Sequence, residues 1–298
     1  MTLIAIIVTL ALSHFISGLA ALRGTDWVCA WQRWLQGHCN RLPGFDGATG
    51  VLLVVALPVI AVALAQWALE DVAAGLASFV FGVAVLVWAW GPRDLDRDVE
   101  AYLKAAAGGD TDEQRRAAEA IVAQPLPPDA EDEAEVVMAW VYLGALERGF
   151  GVLFWFVVLG PLGAVLYRVS QVLARRAADR GAPEGFVGAV RRLRRLLDWP
   201  VCLLMALGLA VVGHFDAVIA AWREHYRREG QGFFALDPGF VLSAARATLA
   251  APPTGWPADF EREPDVYDRI RMSLNLVWRV MFVWLTVLAL LTLAGWLG

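Results

Sequence analysis

Six apolar windows limit what this chain can fold into. They lie at about 3–22, 49–69, 72–92, 150–168, 199–221 and 274–297, and each approaches the roughly 20 residues that a helix needs to cross a hydrocarbon core. Charged segments at 93–148, 170–198 and 222–272 separate them. Composition points the same way. Hydrophobic residues make up 58% of the chain, with 14 Trp and a mean hydropathy of +0.54, whereas a soluble domain is about 45–50% apolar. The sequence therefore predicts an all-α polytopic membrane protein, with a single integral membrane domain over 1–298 and cytoplasmic helical insertions at the three charged segments. The first window, starting MTLIAIIV, lacks the basic stretch of a signal peptide and is expected to remain as a helix.

Arginine placement constrains the topology. If all six windows crossed, the segment 170–198 would stand opposite the other loops. Yet Arg168, Arg175, Arg176, Arg180, Arg191, Arg192, Arg194 and Arg195 form the densest basic cluster here, and basic loops stay cytoplasmic. The other loops also carry Arg near their membrane ends, including Arg23, Arg93, Arg148 and Arg271. Keeping every charged loop on one side requires about four transmembrane helices, from the first, second, third and last windows, with Glu70-Asp71 at the far tip. The windows 150–168 and 199–221 then become re-entrant or embedded segments. Each contains a break suited to that role. Gly160-Pro161 and Gly163 interrupt the first, and Gly213-His214-Phe215-Asp216 interrupts the second. Irregular backbone is tolerated at membrane depth where protein or a water-filled cavity surrounds it.

The loops carry helical patterns. Leu95, Val99 and Leu103 mark one helix face, Gly108-Gly109 ends it, and Asp110 or Thr111 can cap the next helix. The acidic run 129–135 reads as a solvated helix start. In residues 184–199 an apolar stripe of Phe186, Val190, Leu193 and Leu197 is flanked by the Arg pairs 191/192 and 194/195. That pattern suits a bilayer surface, either as a topology anchor or as an anion-binding face. A small-residue helix, FVLSAARATLA, precedes Pro252-Pro253.

Common catalytic signatures are absent from the sequence. It contains no GxxxxGK[ST], HExxH or GxSxG. His14, His38, His214 and His225 are scattered, and Cys29, Cys39 and Cys202 fit neither a disulfide framework nor a CxxC zinc pattern. No metal site is read from them, and nothing resembles a nucleic-acid module. Lys104 is the only lysine among 25 basic residues, a bias that reflects genome composition. Polar residues in or beside the apolar windows carry more information: His14, Glu147, Arg148, Tyr167, Arg168, His214, Asp216, Asn275 and Arg279. Charge at membrane depth is costly, so such groups tend to face an interior and pair. Arg279 with Asp216 or Glu147 is one such expected pair, and a polar ligand cavity is the sharper alternative.

The stretches RDLDRDVEAYLKAAAGGD at 93–110, FWFVVLGPLGAVLYR at 154–168, RRLLDWP at 194–200 and GHFDAVIAAW at 213–222 resemble, in order and spacing, the AmpE family of bacterial inner-membrane proteins. The resemblance covers most of the chain. It implies a multi-pass regulatory protein associated with β-lactamase induction and cell-wall recycling. AmpE is in turn similar to the CbiB/CobD membrane enzymes, which form an amide on a corrinoid carboxylate with ATP. Gly109-Asp110, Gly160-Pro161 with Gly163, Tyr167-Arg168 and Leu196-Leu197-Asp198 match positions of that enzyme pattern. The enzyme's Ile-Val-Gly-Arg-Asp-Thr, however, becomes Ile121-Val122-Ala123-Gln124-Pro125-Leu126, and its Arg-Leu-Asp-Asp becomes Arg192-Leu193-Arg194-Arg195. Its amino-terminal Asp-Pro and His-Pro motifs have no counterpart in 12–45.

The resemblance and these departures together imply a sensor of a ligand or partner at the cytoplasmic membrane face. The candidate ligand-binding residues are Asp94, Asp98, Asp110, Glu147, Tyr167, Arg168, Asp198, His214, Asp216 and Arg279. Expected partners are the lipid bilayer, an anionic small molecule or another cell-wall-recycling protein, with self-association a further option and nucleic acid excluded. No cofactor is evident. The alternative, an amide-forming enzyme of CbiB/CobD type on another substrate, would bring ATP and magnesium to Asp94, Asp96, Asp98 and Asp110. A transporter would call for an inverted pair of broken helices, which does not stand out.

Overall fold

A computed structural model describes residues 2–15, 24–39, 44–70, 75–90, 95–122, 125–228, 239–250 and 265–295. Its helices are α1 (Thr2–Phe15), α2 (Asp26–Cys39), α3 (Ala48–Leu69), α4 (Leu76–Ala89), α5 (Leu95–Gly108), α6 (Thr111–Ile121) and α7 (Ala130–Ala145), which continues through a π-helical turn, Leu146–Phe150, into α8 (Gly151–Leu159). Next come α9 (Pro161–Arg176), α10 (Glu184–Val212), α11 (Phe215–Arg228), α12 (Phe240–Ala250) and α13 (Val266–Leu293). The fold is all-helical among the described residues, as the apolar windows require.

Among the described residues four helical runs are long and apolar enough to cross a membrane: Ala48–Leu69, Ala130–Leu159, Glu184–Val212 and Val266–Leu293. The number agrees with the expectation, but two identities change. The expected third span is the shorter helix Leu76–Ala89, while the windows read as embedded supply the ends of the 30-residue and 29-residue runs. Charged residues hid this. Helix propensity and capping do not require apolar side chains, so α7 and the start of α10 extend the apolar segments through sequence that a hydropathy window discards. The first window lies partly outside the described residues.

The chain divides into two compact units. The first comprises Met1–Pro92, Gly151–Asp198 and Ala289–Gly298, and the second Arg93–Phe150 and Trp199–Leu288. Within the first, α8 turns back on α9 at Gly160, whose φ of 64° is open to glycine and costly for other residues, and Pro161 occupies the first turn of α9, where its missing N–H breaks no bond. The expected turn at this point is therefore present. Two glycines permit the close packing of the hairpin: a Cβ on Gly163 would strike the Trp155 carbonyl, and one on Gly151 would strike the Tyr167 ring. Val165, Val169, Val172 and Leu173 of α9 then join Val28 and Cys29 of α2, Val51, Val54 and Val55 of α3, and Phe186 and Val190 of α10 in one apolar core. Pro58 inside α3 cannot donate to the Val54 carbonyl. The Trp31 indole N–H supplies the missing donor, 3.2 Å away.

In the second unit the hairpin of α5 and α6 follows its sequence pattern. Val99 and Leu103 are buried, Gly109 takes φ 70°, and Asp110 caps α6 by accepting from the Glu113 N–H at 2.9 Å. The acidic start of α7 is solvent-exposed at Glu131 and Asp132, as expected, and departs from that expectation only at Glu133. Asp129 is a solvent-exposed N-cap, but Glu133 is buried and meets Arg115 at 3.4 Å. The second break is as expected, with α10 ending at Val212 and α11 beginning at Phe215. Trp222 of α11 stacks on Phe240 of α12 with ring centroids 5.3 Å apart.

Candidate functional site

The first unit holds a closed polar cluster between α9 and α10. Tyr167 is fully buried and its hydroxyl donates to Asp198 Oδ1 at 2.8 Å. Arg194 Nε donates to Asp198 Oδ2 at 2.6 Å, and its Nη2 donates to the Tyr167 hydroxyl at 3.2 Å. The guanidinium carbon also lies 5.0 Å from the Tyr167 ring centroid, within cation–π range. Next in the chain, buried Arg168 donates to Gln171 Oε1 at 2.6 Å, one turn along the same helix.

Local sequence builds this arrangement. Arg194 and Asp198 are spaced i, i+4 and therefore share a helix face. The order is the less favourable one for an isolated helix, because Arg precedes Asp, so the pair depends on its surroundings. Tyr167 provides them by bonding both partners, and Gly151 makes room for its ring. Beside the cluster, the Trp155 indole donates to the Leu197 carbonyl at 3.0 Å. Each Asp198 oxygen receives a short bond, so the cluster holds charge in place rather than presenting a bare carboxylate.

The second unit distributes its polar groups differently. Arg148, in the π-helical turn, donates to Asp98 of α5 at 3.2 Å, with both side chains largely covered. Asp96, two residues earlier, accepts from the Trp278 indole at 2.8 Å. Buried Gln114 bridges the hydroxyls of Tyr102 and Tyr267 at 3.1 and 3.2 Å. Burial pushes the Tyr102 phenol well above its ordinary range, opposed by its bond to Gln114. A single aromatic and polar seam thus joins α5, α6 and α13.

Of the sequence candidates, Tyr167 and Asp198 meet directly, Arg168 follows Tyr167 in sequence and bonds Gln171, and Asp98 has an arginine partner. Asp110 is occupied as a helix cap, and Glu147 lies half-buried in the π-helical turn. His214, Asp216 and Arg279 have exposed side chains, which differs from the interior placement expected of intramembrane charge. Asp94 lies outside the described residues, as does the side chain of His14. Sequence reading missed Arg194 and Gln171. It placed Arg194 among the outward flanking arginines, whereas Arg191, Arg192 and Arg195 are exposed and Arg194 is buried. The i, i+4 spacing to Asp198 was the available signal.

The chain matches the family model described as "Regulatory signalling modulator protein AmpE" over residues 1–235. It belongs to the AmpE family. Among curated proteins, this AmpE-family chain is similar to a "Cobalamin biosynthesis protein CobD" from Stutzerimonas stutzeri, with 26% identity over 275 residues and 88% of each chain covered. It is also similar to a protein of that name from Chromobacterium violaceum, with 29% identity over 253 residues, covering 80% of this chain and 77% of the relative. No solved structure matches it. With its apolar helices, it is a multi-pass membrane protein of the AmpE family, in contact with the bilayer.

Proposed function

We propose that this protein is a bacterial inner-membrane signalling modulator that affects β-lactamase induction and cell-wall recycling by responding to a ligand or partner at the cytoplasmic face. The observation that carries this reading is the locked Tyr167–Asp198–Arg194 cluster. Its Tyr167 and Asp198 lie where the resemblance to CbiB/CobD enzymes puts matching residues, yet the carboxylate is engaged by two donors. The replaced stretches at 121–126 and 192–195 support the same conclusion. Under this reading Glu147 in the π-helical turn and Arg168 on α9 are the residues through which a change would pass. Deleting the protein should alter β-lactamase induction, and Glu147→Gln or Arg168→Gln should reproduce the change at unchanged membrane levels. Normal induction in the deletion strain would sink the regulatory reading.

The similarity to CobD proteins favours a second reading, an ATP-dependent amide-forming enzyme with another substrate. Asp98 and Asp110 would then have to leave Arg148 and the α6 N-terminus to hold magnesium and nucleotide. Calorimetry on protein in nanodiscs distinguishes the readings, because binding of magnesium-ATP supports the enzyme and absence of binding removes it.

A further inference from the structure

The first unit contains an apolar groove of about 750 Å³, lined by Trp27 and Trp31 of α2, Pro58 and Ala61 of α3, Trp88 of α4 and Val165 of α9 among others. Its size is in the range of small-molecule sites, which are typically about 300–1,000 Å³. Such sites ordinarily include a few polar groups that orient the ligand. Here those groups are turned away. The Trp31 indole donates to the Val54 carbonyl at 3.2 Å and that of Trp88 to the Gly24 carbonyl at 3.4 Å. Both rings line the groove, with the Trp27 and Trp88 centroids 5.7 Å apart.

The surroundings identify the occupant. One wall is α3, a candidate span whose apolar window is only 22% buried by protein. Leu57 and Ala61 on that wall are exposed, so the groove opens toward the bilayer. Its tryptophan-lined end has the composition of a membrane interface. The end of α4 at Trp88 and the end of α9 at Arg176 both meet the start of α2, through Gly24 and Asp26 respectively. Three tryptophans on one short amphipathic helix, Trp27, Trp31 and Trp34, suit the headgroup level. Arg176 bonds Asp26 at 2.7 Å, and Asp26 immediately precedes groove-lining Trp27 in the chain. Arg175 beside it is lowered to about 10, first by desolvation and then by repulsion from Arg194 and Arg176. Its side chain still reaches solvent, so a headgroup phosphate has access to it.

We propose that this groove binds one anionic phospholipid, with an acyl chain along Trp27, Trp31, Pro58, Ala61 and Trp88 and its phosphate at Arg175 and Arg176. The hydrocarbon removes the groove walls from water, and the phosphate adds to Asp26 in offsetting the positive charge at the end of α9. The groove shares no lining residue with the Tyr167–Asp198 cluster, although Arg175 at its end feels the charge of Arg194, and the proposal does not depend on the regulatory reading.

Native mass spectrometry of the full-length protein, delipidated and then supplied with defined lipid, provides the test. Phosphatidylglycerol should be retained at one molecule per chain, and phosphatidylcholine with the same acyl chains at least about fivefold less. Ala61→Trp and Ala84→Leu fill the groove from exposed positions, and either should reduce phosphatidylglycerol retention at least about tenfold while thermal unfolding in detergent stays unchanged. Arg175→Gln with Arg176→Gln should abolish the preference between the lipids. Undiminished retention in both groove-filling variants would overturn the proposal. So would equal retention of the two lipids by the unaltered protein, or a groove-dependent dimer in place of bound lipid.

Discussion

Two ion pairs in the first unit have nearly the same length and opposite surroundings. Arg194–Asp198 spans 2.6 Å with both side chains 9% exposed, and Arg176–Asp26 spans 2.7 Å with side chains 43% and 83% exposed. Distance therefore says little about their worth. Water screens the second pair and competes for its hydrogen bonds, whereas the first has lost that alternative. The buried pair also has Tyr167 bonded to both partners, so the three groups order one another. The exposed pair links α9 to α2 at the surface, where its geometry serves the groove mouth more than stability.

Substitutions can break this comparison. Asp198→Ala should have the largest effect, about 3–5 kcal/mol, because it removes the negative half of a buried pair, and thermal unfolding in detergent should fall accordingly. Tyr167→Phe keeps the ring and deletes a hydroxyl bonded to charged groups, with an expected cost of about 1.5–3 kcal/mol. A denaturant titration in mixed micelles should resolve it below Asp198→Ala. Arg148→Gln tests an intermediate environment, since Arg148 and Asp98 are 14% and 18% exposed. We expect about 1–3 kcal/mol, with faster proteolysis in the segment joining α5 and α6. Asp26→Asn should cost at most about 1 kcal/mol, and that small effect should disappear in molar salt. A salt-insensitive loss at Asp26 as large as that at Asp198 would overturn the contrast.

Much of the fold is legible in the sequence. Gly160-Pro161 announces the hairpin turn because one residue opens positive φ and the other cannot continue a hydrogen-bond ladder. Gly109 and Asp110 likewise announce the end of α5 and the cap of α6. The spans were less legible. Hydropathy detects apolar segments, but α7 and α10 begin in charged sequence and continue into apolar sequence without a break, so windows at 150–168 and 199–221 understate their helices.

The candidate site was legible only in part. Tyr167, Arg168 and Asp198 stood out as polar residues against apolar sequence, and the structure brings Tyr167 to Asp198 across 31 residues. Arg194 did not stand out, because four arginines within five positions look alike in one dimension. Which one turns inward depends on a helix phase of about 100° per residue and on a partner waiting on α9.

Apolar length, arginine placement and glycine-proline breaks were enough by themselves to make this chain a helical membrane protein with a folded-back hairpin. Those properties are local, and each acts through a few neighbouring residues. Tertiary structure decided which arginine is buried, which tryptophan serves the carbonyl freed by Pro58, and where an apolar groove remains open. Those outcomes depend on contacts between helices distant in sequence, where burial sets the strength of a charge pair and close packing determines which side chains fit.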